Sequence, residues 1–475
     1  MRLWGTPGKI WMLTTLFVVS ASVLVLSIRA EVDSSGQTVD VIGAHSETNL
    51  TYAQNLYFVL AAMDTDAANY MLVGSDPTPP LTEGRISGDY QALRQTAVNL
   101  LISVDQNVAH SNRERYAVYR LEIKLHQFDS SVASAWLLND EGRHTEALVA
   151  WEQATDLMQN EIDGILEAAL DLADINRQTL NTAYAQSQAH EAAFHLPILV
   201  AASASAGSLS AVALMLFLFR RTRRAVNPPL VVAALLLLAL TAGANQALTV
   251  SGQRLEAARQ AYDTVDALRQ ARALVFDGKA DESRYLLDPG RRPMYEEVFL
   301  IRSRAVATFP SRPTLATYDA ELAQQVQVLD AGGRVEIDGD LGTGLQGVHG
   351  DEEAAAAMAV LASYATFQRD DRVLRADLAR NDLREAVRFT LSPQAGESQG
   401  DLNALDVGLG GWIAIEQTRG DADLAAGARA LDGWQWIPVA VWAFVAALVY
   451  LGIRPRLREY PSMFTIIADR LTTSR

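Results

Sequence analysis

Residues 196–250 read LPILVAASASAGSLSAVALMLFLF, then RRTRRAVNPP, then LVVAALLLLALTAGANQALTV. Two uncharged apolar runs, Leu196–Phe219 and Leu230–Val250, flank a ten-residue turn that holds four arginines and ends in Pro228-Pro229. Each run is close to the roughly 20 residues an α-helix needs to cross about 30 Å of hydrocarbon. Two further uncharged runs, Ile10–Ile28 and Trp436–Ile453, complete a set of four expected transmembrane helices. The first run is longer than the roughly 7–15 apolar residues of a signal-peptide core, and no A-x-A site follows, so it reads as a retained anchor.

The arginines set the expected orientation. Arg2 and Lys9 precede the first run, Arg220, Arg221, Arg223 and Arg224 follow the second, and Arg454, Arg456 and Arg458 follow the fourth. All fall on one side of a plasma membrane if the chain starts inside, as the positive-inside rule requires. The expected plan is a cytoplasmic start (1–9), a span (10–28), an external region (29–195), a span (196–219), a cytoplasmic turn (220–229), a span (230–250), a second external region (251–435), a span (436–453) and a cytoplasmic tail (454–475). Charge agrees. Residues 31–195 carry a net −16 and 251–434 a net −10, whereas the remainder carries +10. The acidity is thus external, and nucleic acid is not an expected partner.

Both external regions read as helical, so the expected fold class is all-α, with two extracytoplasmic four-helix bundles in tandem. Apolar residues recur at three-to-four spacing through Leu56, Leu60 and Met63, through Leu121, Leu125, Phe128 and Val132, and through Leu148, Trp151, Met158, Ile162, Ile165 and Leu166. Breaks are expected at Gly74–Gly88, near His110–Asn112 and at Asn139–Gly142. The second region reads as helices at about 251–287, 293–330 (interrupted at Pro310 and Pro313), 351–390 and 399–433. The Gly-rich stretch within Gly332–Gly350 reads as a flexible linker. Local echoes suggest duplication: Tyr70-Met71-Leu72 matches Tyr285-Leu286-Leu287, and Asn139-Asp140 with Glu146-Ala147-Leu148 resembles Asn381-Asp382 with Glu385-Ala386-Val387.

Catalytic motifs are missing: there is no GxxxxGK[ST], HExxH or kinase signature, so no enzyme is expected. Cysteine is absent and the seven histidines are scattered, which leaves no expected metal site or cofactor. Asp64/Asp66 and Asp338/Asp340 have calcium-like spacing without a surrounding EF-hand loop. Ala202–Gly207 places small residues four apart in the second run, where they permit close helix contact.

The span–bundle–span plan resembles the external sensors of bacterial chemoreceptors and sensor kinases, here doubled and without a cytoplasmic signalling domain. With the start Leu3-Trp4-Gly5-Thr6-Pro7-Gly8-Lys9 and the arginine-rich texture, it resembles the GlnX family of the actinobacterial GlnH–GlnX–PknG system. That resemblance implies a signal relay. An external GlnH-like lipoprotein that binds amino acids such as aspartate and glutamate would be coupled to a cytoplasmic PknG-like kinase controlling 2-oxoglutarate metabolism. An envelope scaffold and an accessory subunit of a transporter complex are the alternatives with the same fold. Bundles of this kind often pair, so a homodimer is a further expectation. Candidate outer docking residues are Pro77, Pro79, Pro80 and Leu81 on one membrane-distal tip and Arg291 and Arg292 on the other, with ordinary turns as the plain alternative. Candidate cytoplasmic contacts are Arg220, Arg221, Arg223, Arg224, Arg454, Arg456 and Arg458, with Phe464 and Ile467 on the tail. The same groups suit contact with the anionic inner leaflet of the lipid bilayer.

Overall fold

The computed structural model describes residues 6–41, 47–73, 83–107, 112–160, 162–193 and 227–458, together with 202–203, 205–207, 209–210, 212–213 and 215–217. Those residues are overwhelmingly helical, and the only β feature among them is an isolated bridge between Thr308 and Asp338. The helices are α1 (Thr6–Val41), α2 (Glu47–Val73), α3 (Glu83–Asn107), α4 (Asn112–Asp140), α5 (His144–Gln159), α6 (Ile165–Ala193) and α7 (Pro228–Leu287). They continue as α8 (Arg292–Val306), α9 (Tyr318–Asp330), α10 (Gly339–Gln346), α11 (Asp351–Ala379), α12 (Leu383–Leu391), α13 (Ser398–Leu431) and α14 (Ile437–Arg458). The chain forms two compact units: Met1–Ile42 with Thr182–Glu256 and Asp423–Arg475, and Gly43–Asn181 with Ala257–Ala422.

Three helices among the described residues are long and apolar enough to cross a membrane, at Trp11–Gln37, Pro228–Leu287 and Ile437–Arg454. The fourth expected span, 196–219, lies partly outside the described residues; its described positions are helical. Phe17, Leu24 and Ile28 of α1 pack with Leu230, Leu237 and Leu240 of α7 and with Val445 and Val449 of α14. Polar groups are paired locally: Trp442 Nε1 donates to Ser22 Oγ (3.0 Å), and Asn227 Nδ2 to the Gly452 carbonyl (3.0 Å). A Cβ on Gly207 would stand 3.8 Å from Ser20 Cβ, so the small-residue run does meet a neighbouring helix closely. Asn245 and Gln246 are exposed.

In the second unit the two regions expected to be external share one compact body. Trp151, Phe128, Leu121, Leu60 and Leu172 form one buried cluster, and Trp412, Phe299, Phe367, Tyr364 and Leu405 another. Four details depart from the sequence reading. The helix read through Ile162 is two helices, because the Asn160 side chain accepts from the backbone N–H of Ile162 and of Asp163 (both 3.0 Å) and ends α5. Ile162 is consequently 89% exposed. The helix read over 351–390 breaks at Asn381, which adopts φ 66°, and restarts where the Asp382 side chain caps the N–H of Glu385 (3.1 Å). The expected linker after Gly332 contains α10, whose glycines serve close packing: a Cβ on Gly344 would fall 2.9 Å from Trp412 and 3.1 Å from Leu268. Likewise α3 begins at Glu83, inside the expected loop Gly74–Gly88, with an acidic residue in its first turn where the helix dipole favours it.

Candidate functional site

The second unit contains a charged seam along which α2 and α7 lie side by side. The seam begins at Arg269, whose Nη1 donates to Thr51 Oγ1 (2.9 Å) and Gln54 Oε1 (3.3 Å). Next, Phe58 meets Phe276 edge-on with ring centroids 5.0 Å apart, and the Arg272 guanidinium lies 4.0 Å over the Phe58 ring. Arg272 is held there by a two-pronged ion pair with Asp406 (2.6 and 3.0 Å). Further along, Thr65 Oγ1 donates to the Phe276 carbonyl (2.7 Å), and Ser283 Oγ to Asn69 Oδ1 (2.7 Å). Partners across these hydrogen bonds are 211 to 218 residues apart throughout. A near-constant separation means the two helices run parallel. It is also close to the spacing of the Tyr70 and Tyr285 echoes, which meet in one buried cluster at the helix ends.

At the centre sits a buried ionic network. Arg284 pairs with Asp64 of α2 and, through Nη1, with Asp281 (2.8 Å). Arg302 of α8 pairs through Nε with Asp277 (2.6 Å) and through Nη1 with Asp281. Gln159, the last residue of α5, donates to Asp64 Oδ2 (2.8 Å) and Asp277 Oδ1 (2.7 Å) and accepts from Arg302. Three carboxylates thus face two guanidinium groups, and Asp64, Asp277, Asp281 and Arg284 are each no more than 2% exposed. Burial raises the pKa of Asp64 and of Asp281 against the lowering effect of their arginines. For Arg284 burial works the other way, yet the surrounding carboxylates outweigh it and hold the guanidinium charged. Taking an ion out of water costs several kcal/mol, so such a cluster persists only while every partner is in place. The network spans α2, α5, α7 and α8, so it ties the relative placement of those four helices together.

Of the candidates read from the sequence, Arg291, Arg292, Arg454, Arg456 and Arg458 are among the described residues. Arg291 is bound within the second unit, to Glu152 (3.1 Å), Asp156 (3.8 Å) and Asp288 (3.6 Å). Arg292 donates to the Tyr285 carbonyl (3.0 Å) and stacks over that ring. Pro77, Pro79, Pro80 and Leu81 lie outside the described residues, as do Arg220, Arg221, Arg223, Arg224, Phe464 and Ile467. Arg454 stacks over Tyr450 at 5.8 Å, and Arg456 and Arg458 stand on the last turn of α14. The seam itself was missed from sequence. Its signal was present: Asp64 falls on the apolar stripe of Leu60, Met63, Ala67 and Met71, and Asp277, Asp281 and Arg284 recur at helical spacing. A charge on a buried stripe announces a partner on another helix.

Residues 38–185, which contain α2 to α5 and most of α6, match the family model described as an actinobacterial sensor domain. No curated protein and no solved structure matches the chain.

Proposed function

We propose that this chain is a transmembrane signal relay of the GlnX type. In this reading all four apolar runs cross the plasma membrane and both ends are cytoplasmic. The carrying observation is the sensor-domain match over residues 38–185, which indicates a signalling role. The continuous helix α7 supports it. It runs 60 residues, roughly 90 Å at about 1.5 Å per residue, from a span-like start to the charged seam. Arg269, Asp277 and Arg284 therefore belong to the same helix as Leu230–Val250. The parallel pairing of α2 with α7 supports reading the two external regions as duplicated four-helix units joined side by side. The outer partner is an amino-acid-binding lipoprotein, and the inner partner is a soluble kinase reached through the turn 220–229 and the tail 454–475. The chain itself catalyses nothing.

The test is a reconstituted relay. The full chain in vesicles is mixed with the lipoprotein outside and the kinase inside, and kinase activity is read with and without aspartate or glutamate. The expected result is a ligand-dependent change that is lost when residues 459–475 are deleted. No ligand-dependent change with the intact chain would overturn the relay; an unchanged response in the deletion would remove the tail as the docking surface.

A further inference from the structure

Helices α2, α6 and α7 line a cleft of about 330 Å³ in the second unit. Gln54, Tyr57 and Arg269 form its inner wall, each less than a tenth exposed, and Asp171 and Arg177 stand at its mouth. Glu167 lies one helical turn before Asp171 on the same face of α6. This volume is at the small end of the roughly 300–1,000 Å³ typical of ligand pockets.

We propose that this cleft binds a small neutral zwitterion, a molecule of amino-acid size with one carboxylate and one ammonium group. The relay reading assigns no small-molecule site on this chain, and the proposal does not depend on it. The walls carry both signs. Arg269 is oriented by Thr51, Gln54 and, through Nη2, Gln417 (3.2 Å), so its planar fork is fixed before a ligand arrives. Arg177 is positioned by Asp174 (3.0 Å) and Asp266 (3.8 Å). Two guanidinium groups line the cleft and carry the donor chemistry suited to a carboxylate. Glu167 and Asp171, at i and i+4, offer an acidic edge for an ammonium group, and the Tyr57 ring adds an apolar face to the lining. Each simpler ligand meets opposition. A dicarboxylate confronts Glu167, Asp171 and Asp174, and a diamine confronts both arginines. A zwitterion answers both edges without adding net charge to a buried wall. The walls offer little hydrocarbon beyond Leu170 and Ala173, so a small or polar side group fits best.

The test uses the full chain in lipid nanodiscs, titrated calorimetrically with glycine, L-alanine, L-serine, L-glutamate, succinate and putrescine. Arg177→Gln and Asp171→Asn change groups at the mouth, and unchanged circular dichroism and unfolding midpoints without ligand check that each variant folds. The expected result is saturable binding of at least one neutral amino acid, weakened tenfold or more in both variants, with succinate and putrescine inert. No saturable binding of any neutral amino acid would overturn the proposal. So would binding by succinate or putrescine alone, or neutral amino-acid binding that both variants retain in full. Each of these outcomes leaves the kinase readout of the relay untouched, so the two readings fail separately.

Discussion

Replacing Arg284 by methionine would leave Asp64 and Asp281 facing each other in a site that admits almost no water. Removing one partner of a buried ionic cluster typically costs about 3–5 kcal/mol, because the remaining charge is uncompensated. The expected outcome is a clear fall in the unfolding midpoint of the second unit, measured by thermal denaturation in detergent. The double variant Arg284→Met with Asp64→Leu should recover part of that loss, since it removes the charge left stranded. Asp370 gives a pH test. Burial first, and then the carboxylates of Asp401 and Glu282, push its pKa up to about 7. The folded value lies above the unfolded one of about 4, so the neutral acid is the form the fold favours. Its contribution is full below about pH 4 and is lost as pH rises through about 7. Asp370→Asn, uncharged at every pH, should flatten the decline in midpoint between pH 5 and pH 8 and be on the order of 2 kcal/mol more stable than the parent at the upper end. A decline as steep in the variant as in the parent would rule out Asp370 as a source.

Helix α10 exists because its glycines let it approach its neighbours, and a β-carbon shows where that approach is tightest. Gly344→Val would drive a branched side chain into Trp412 and Leu268, which are both fully buried. Overpacking of a filled core costs typically about 1–3 kcal/mol. Gly350→Ala meets open space at the start of α11 and should change little. Comparing the two unfolding midpoints separates a packed helix from a mobile linker: equal midpoints would restore the linker reading. Asn160 plays the complementary part at a helix end. Its side chain closes the turn after α5 and so fixes Gln159, which bridges α2, α7 and α8. Asn160→Ala removes two hydrogen bonds from an exposed turn at a cost of about 1 kcal/mol. Its larger effect is expected on the hold of Gln159 over the ionic network.

The whole chain has no cysteine, which makes its topology measurable by single-cysteine labelling. Asn160 and Val407, one in each region read as external, are both exposed and suit the replacements Asn160→Cys and Val407→Cys. In intact cells both should react with a membrane-impermeant maleimide. A site that reacts only after lysis would break the orientation drawn from Arg220–Arg224 and Arg454–Arg458. At the same scale, the match of residues 38–185 to a sensor-domain family agrees with what the external helices suggested, while the named partners rest on the relay reading.

Hydropathy and charge placed the apolar runs, and three-to-four periodicity placed most external helices, because both signals are local. A run of uncharged residues must avoid water wherever the chain goes, and a stripe such as Leu121, Leu125, Phe128 and Val132 needs only its own helix to be visible. Tertiary structure decided the rest. Whether Gly339–Gly347 is a linker or a helix depends on Trp412, Leu268 and Thr264 being there to receive it. That Asp64 is a network member and not a solvated acid depends on Arg284, 220 residues away. Partners so distant leave only an indirect mark in the sequence, a charge on a face that should be apolar. Which charge answers it is settled by packing.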